Sequence, residues 1–301
     1  MSKKTSLQAA LIAASHKHGG SHASIAARDG HMRDFVNHLA GRGIRLDSIE
    51  SIGKRHLDSY VAAIQKTDSA RTVQNKISAL RQVLKAVGRD KFVREQLGSR
   101  QLGLEQGSRD GTKRPMTRAL YEKFSAAAAQ RERGFAEALA LCRFLGLRSM
   151  EAIRSPDSLQ SWLRAIDRQN GHLVIHTGTK GDRPRTLPAM LIPDLVAARG
   201  AIVAAIAASE ANGGRLIKLG TLAQAERRFH NEATAIGMKG PDSPHSLRYA
   251  FAAASMMQLV GQGFSEREAL GVVSELLGHG DQRGRWVRQV YLRGLEEDFE
   301  P

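Results

Sequence analysis

Cysteine is all but missing from this chain of 301 residues: Cys142 is the only one. No disulfide can therefore form within it, which excludes the small folds that are stapled by such bridges. Cys142 closes the apolar run Ala138-Leu139-Ala140-Leu141-Cys142, where it reads as a small buried hydrophobe rather than a reactive thiol. No apolar run approaches the ~18 residues that a membrane-spanning helix needs, so no span is expected. The apolar stretch near the N-terminus is too short for a secretory signal and lacks the cleavage pattern, so a cytoplasmic protein is expected. Aromatic residues make up only 5% of the chain and tyrosines number four, so each tyrosine can be weighed separately. No acidic cluster has the spacing of a magnesium site. His16, His18 and His22 lie in a Gly/Ser-rich stretch without further ligands and read as part of a flexible tail. Neither a metal nor another cofactor is expected.

Acidic side chains are also in deficit. Against 30 Asp and Glu stand 45 Lys and Arg, a net charge of +15. A polyanionic partner is the simplest reading, because each phosphate that is neutralised releases counterions. The excess is uneven. Residues 1–115 carry 21 basic and 10 acidic residues, or +11, and the remainder 24 and 20, or +4. The first part is the natural clamp for a nucleic acid.

Helical periodicity fills that first part. Met32, Phe35, Val36 and Leu39 recur at helical spacing, as do Leu57, Tyr60, Val61 and Ile64, and then Val73, Ile77, Leu80, Leu84 and Val87. Glycines 41, 43, 53 and 88 punctuate them. This predicts a flexible segment over 1–22 and a helical bundle over 23–97 with basic outer faces. The stretch GSRQLGLEQGSRDGTKRP, residues 98–115, has four glycines, a proline and no period, and reads as a linker. Residues 116–301 form a second, mainly helical domain. Within it Trp162–Ile166, His172–Thr177 and Arg183–Leu187 are expected to be strands of a small three-stranded antiparallel sheet, with Asn170-Gly171 as one turn. Helices are expected over 136–145, from Ser149, and again over 192–211, 222–236, 246–259 and 266–277.

Several residues in the second domain carry chemical potential. Pro244-His245-Ser246-Leu247-Arg248 opens a helix, so His245 and Arg248 share the face of its first turn, where free backbone N–H groups also favour an anion. In Gly146-Leu147-Arg148-Ser149-Met150-Glu151, Arg148 leaves the core at a break between helices, and Glu151 is three residues on, able to hold its guanidinium. Lys180 sits at a tight turn between strands. His279 follows the helix end Glu275-Leu276-Leu277-Gly278. Among the tyrosines, Tyr60 belongs to a buried stripe, Tyr121 starts a helix after the linker, and Tyr249 points about 100° away from Arg248 on the same helix. Tyr291 is the one free to act as a nucleophile.

In order and setting, the phrases LGLRSMEA, TGTKGDRPRTLP, PHSLRYAFA and ELLGHG, followed by a late tyrosine, resemble the tyrosine recombinase or phage integrase family over roughly Thr117 to the C-terminus. The basic bundle resembles that family's SAM-like core-binding domain. The resemblance implies site-specific DNA recombination on a mobile genetic element, without metal or ATP. It implies that Arg148 and Arg248 bind the scissile phosphate, that Tyr291 forms a covalent 3′-phosphotyrosyl link, and that Lys180 protonates the leaving 5′ oxygen. His245 would take the Tyr291 proton or bond the phosphate, His279 would donate to the phosphate, and Glu151 would orient Arg148. Double-stranded DNA is the implied partner, with a homotetramer on synapsed DNA and room for a DNA-bending accessory protein. Leu292, Leu295 and Phe299 have the spacing of a short apolar face that could dock on a neighbouring protomer. Two departures stand out: Tyr291 comes twelve positions after His279, longer than is usual in the family, and the stretch from Arg248 to His279 is also long, with Gly261-Gln262-Gly263 suggesting an added turn. Two other readings stay open, a type IB topoisomerase-like enzyme and a catalytically silent DNA-binding accessory protein. Recombinant products, relaxed circles alone, or neither would tell the three apart.

Overall fold

The apolar stripes of the first part each become the inward face of a helix. A computed structural model describes residues 3–108, 110–168, 171–179, 181, 183–218, 220–280 and 283–292. Lys180, Asn170, Leu295 and Phe299 lie outside the described residues. The chain divides into two units, Met1–Ser108 and Arg109–Pro301, each with its own core.

The first unit has five helices among its described residues: α1 (Lys3–His18), α2 (His22–Gly41), α3 (Lys54–Ile64), α4 (Ala70–Ala86) and α5 (Asp90–Gln96). Ser21 and Ser69 cap α2 and α4 by accepting hydrogen bonds from the Ser24 and Thr72 amides. Phe35, Leu39, Leu57, Tyr60, Ile77 and Leu80 meet in the core. The expectation of a flexible segment over 1–22 is corrected here. Leu7, Leu11 and Ala14 form a narrow buried stripe on α1, and Arg28 ties the end of that helix down by donating to Ser15 Oγ, Ser15 O and Gly19 O. His16 pairs with Asp29 at 3.0 Å instead of standing in a loose tail.

The second unit is built around α7 (Arg133–Phe144), which is apolar on nearly every side because it is covered by α6 (Arg118–Arg131), α10 (Leu195–Ala211) and α12 (His245–Gly261). Between α7 and α10 come α8 (Ser149–Ile153), α9 (Pro156–Asp167) and two strands, β1 (His172–Ile175) and β2 (Arg185–Pro188). The strands pair antiparallel from His172 opposite Pro188 to Ile175 opposite Arg185. The sheet thus has two strands among the described residues, where three were expected. Trp162–Ile166 is part of α9: Pro156 occupies its first turn, and Leu159, Trp162 and Ile166 line one buried face at helical spacing. The unit is completed by α11 (Leu222–Ala235), α13 (Glu266–Leu276) and α14 (Gly284–Tyr291).

Candidate active site

The site grows from the break between α7 and α8. Gly146 has φ +60°, and a Cβ there would come within 2.4 Å of the Phe251 ring, so both backbone and space demand glycine. Its carbonyl accepts hydrogen bonds from the guanidiniums of Arg248 and Arg185, the latter at 3.1 Å. Two residues on, Arg148 stands at the N-cap of α8. Glu151 reaches back to it with both oxygens: Oε2 accepts from the Arg148 amide at 3.0 Å, and Oε1 from its guanidinium at 2.5 Å.

The C-terminal end of α13 supplies the opposite wall. The last carbonyls of a helix carry partial negative charge and lack intrahelical donors. Here Leu276 O accepts from Arg185 at 2.6 Å, and Leu277 O accepts from Arg248 and, at 3.4 Å, from Arg148. Gly278, at φ +65°, turns the chain, and the His279 amide closes the turn on Ser274 O at 2.9 Å. This delivers the His279 ring to Tyr291, the last residue of α14. His279 Nε2 lies 3.1 Å from Tyr291 Oη, and Arg248 Nε donates to the same oxygen over 3.4 Å. Trp286 sets its edge against His279 with ring centroids 4.3 Å apart. His245, at the start of α12, has its ring centroid 6.1 Å from that of Tyr291.

Charge is unbalanced in this space. Three guanidiniums, those of Arg148, Arg185 and Arg248, face one carboxylate, Glu151, leaving two positive charges over. Burial alone would raise the Glu151 pKa, but Arg185, Arg248 and Arg148 outweigh it and hold it at about 2. His279 is lowered to about 3, by burial first and then by Arg248, Arg148, Arg283 and Arg185. His245 keeps an exposed edge, yet crowding on its other side, with Arg248, Arg148 and Lys113 around it, lowers it to about 4. Both imidazoles are therefore neutral near pH 7, and a bound phosphate, by offsetting the cations around them, would make them stronger proton acceptors. Positive potential with neutral bases beside a hydroxyl is a setting for nucleophilic attack on an anionic centre.

Of the residues singled out from the sequence, Arg148, Glu151, His245, Arg248, His279 and Tyr291 converge here. Lys180 lies outside the described residues; its connection leaves the sheet at Ile175 and returns at Arg185. Arg185 itself was missed. The signal available was its alternation with Leu187, which places both on the buried face of β2. Helical geometry turns Tyr249 away from Arg248, but its ring packs 4.5 Å from that of Tyr291. Burial, and then Tyr291, raise its pKa to about 12.

Among the described residues, no group of three or more His, Cys, Asp or Glu side chains is arranged to hold a metal ion, and no helix is long and apolar enough to cross a membrane. Residues 103–254 match the family described as Integrase, and residues 2–93 the one described as Phage integrase, N-terminal. No curated protein matches the chain. Solved structures that share the fold include the following three. A lambda integrase tetramer bound to a Holliday junction is 17% identical, with a TM-score of 0.58 over 94% of this chain and 76% of that one. The Tn1549 transposon integrase, in complex with transposon right end DNA, is 14% identical, with 0.57 over 96% and 94%. XerH site-specific recombinase bound to palindromic difH substrate is 19% identical, with 0.53 over 91% and 78%.

Proposed function

Because the chain belongs to the phage integrase family, we propose that it is a site-specific tyrosine recombinase that cuts and rejoins double-stranded DNA through Tyr291. The observation that carries this reading is the setting of the Tyr291 hydroxyl, between a neutral His279 and the Arg248 guanidinium in a site with positive charge to spare.

In the reaction, Tyr291 Oη attacks a backbone phosphorus, and the 5′ oxygen of the next nucleotide leaves. The tyrosine proton passes to a neutral imidazole; His279, at 3.1 Å, is better placed to receive it than His245. Arg148, 22% exposed at its side chain, is the guanidinium an entering phosphate meets first. Arg148 and Arg248 together offset the charge that builds on the non-bridging oxygens, and two planar, permanently charged forks suit that task. Lys180 supplies the proton to the leaving 5′ oxygen. The 3′-phosphotyrosyl bond retains the energy of the broken link, so a 5′ hydroxyl from a second strand can reverse the step. Exchange between two duplexes calls for a homotetramer of the chain on synapsed DNA, with a DNA-bending accessory protein as a further partner. Cytoplasmic DNA, and a mobile element as its source, complete the reading.

The test is to incubate the protein with supercoiled plasmid carrying the DNA that flanks its own gene and to quench with detergent. A protein–DNA adduct that disappears in Tyr291→Phe is expected, together with recombinant products. An adduct that persists in the variant overturns the assignment of the nucleophile. Relaxed circles without recombinants would favour topoisomerase-like chemistry.

A further inference from the structure

We propose that Arg185, which lies outside the catalytic set that the family resemblance supplies, is a positioning residue: it holds the end of α13, and with it His279, in register with Arg148. The proposal rests on the recombinase reading of the site. Arg185 is the first paired residue of β2 and its side chain is buried, so it cannot meet the DNA itself. Its guanidinium instead joins three separate elements. It donates to Leu276 O at the end of α13, to Gly146 O at the break after α7, and to Glu151 Oε2 on α8. The chain beyond α13 runs directly against its stem: a Cβ on Gly278 would come within 2.7 Å of Arg185 Cδ. His279 is the next residue.

Glu151 makes the coupling specific. Its Oε1 holds the Arg148 guanidinium while its Oε2 holds Arg185 and the Arg148 amide. Without Arg185 the carboxylate loses one of the two guanidiniums hydrogen-bonded to it, and two buried carbonyls each lose a donor. The phosphate-binding arginine and the histidine beside the nucleophile then lose their common reference. Lysine keeps the charge, but a single ammonium does not reproduce a planar fork that spans three acceptors. Arg185 also fixes the root of the connection on which Lys180 is carried.

The experiment uses the full chain, the plasmid described above, and the variants Arg185→Lys and Arg185→Met. Adduct formation is timed at saturating plasmid, alongside the plasmid concentration for half-saturation and the thermal midpoint. Both variants are expected to lose about a hundredfold in rate at saturation, the scale of a misplacement of ~1 Å. Half-saturation should move by no more than about threefold, because the other phosphate contacts remain. A second readout separates positioning from mere folding. The charged groups facing His279 are Arg248 from α12, Arg148 before α8, Arg283 ahead of α14 and Arg185 from β2, with Tyr291 and Trp286 as its ring neighbours. In Arg185→Met one of these cations is gone, so the acid limb of the rate–pH profile moves to higher pH; in Arg185→Lys it stays. Wild-type rates in both variants overturn the proposal. So does a loss that only tracks the unfolded fraction with an unmoved acid limb. If the wild-type chain forms no adduct that Tyr291→Phe abolishes, the recombinase reading itself falls and takes the proposal with it, an outcome distinct from the other two.

Discussion

The two units handle their interior charges in opposite ways. In the first, one cation serves two carboxylates: Lys76 Nζ lies 2.5 Å from Asp34 and 2.8 Å from Asp68, and Tyr60 donates to Asp34 at 2.7 Å. In the second, one carboxylate serves three guanidiniums. Their surroundings differ too. Asp34 is nearly half exposed, so water screens whatever charge the lysine leaves unbalanced. Glu151 and Arg248 are sealed, and potential inside a low-dielectric space is not screened away. The first cluster joins α2 to α4 and has done its work once the unit is folded. The second is left short of negative charge, which a bound phosphate would supply.

Substitutions can break this contrast, and the largest effect is expected at Arg248. Arg248→Ala removes a buried donor to Gly146 O, Leu277 O and the Tyr291 hydroxyl. Adduct formation should fall by about 10²–10³ or more, the scale for losing one transition-state donor. Plasmid binding, followed by gel shift, should change far less. Glu151→Gln comes next. Three guanidiniums then lose their one carboxylate, and unfolding by denaturant should show a loss of about 3–5 kcal/mol, the scale for breaking a buried charge network. The matching change in the first unit is Lys76→Met, expected to cost no more than about 1 kcal/mol, because water reaches the carboxylates it leaves behind. The folded fraction of that variant should form adduct at the wild-type rate; a large loss of rate there would remove the contrast between the units.

Acidification gives the smallest effect and sharpens the comparison. His245 and His279 sit at about 4 and about 3 in the folded chain, below the ordinary 6.5 of an unfolded histidine. Above pH 6.5 both states are neutral and the residues contribute nothing. Between pH 6.5 and about pH 4 the unfolded chain binds protons that the folded one refuses, so stability falls as the pH falls. Glu151, held at about 2 against an ordinary 4.5, adds a second loss that begins below pH 4.5 and has the same sign. Thermal midpoints measured from pH 7.5 to pH 4 should decline, and replacing His279 by Gln should flatten the upper part of that decline.

Local chemistry was the legible part of this chain. His245 and Arg248 lie one turn apart on a helix, and Arg148 and Glu151 lie three residues apart across a helix start, so sequence spacing alone sets them together. Arg185 makes its contacts with residues 34, 39 and 91 positions away. No local pattern encodes such partners; only the closure of β2 against α8 and α13 does. The helical stripes of α2, α3 and α4 were readable for the same local reason. The helix α1 was hidden because its buried stripe is narrow, only Leu7, Leu11 and Ala14 among its apolar residues, and α9 because its apolar residues fall close together around Trp162, where Pro156 marks the helix start. Tyr249 shows the limit from the other side: helical geometry turned it from Arg248, yet α14 brings Tyr291 against it.

The most direct measurement is the identity of the residue that carries the DNA. The detergent-quenched adduct would be digested with nuclease and trypsin and its peptides weighed. A nucleotide phosphate is expected on the peptide spanning residues 289–293, at Tyr291. Attachment at Tyr249, Tyr121 or Tyr60, or at any residue other than tyrosine, would contradict it.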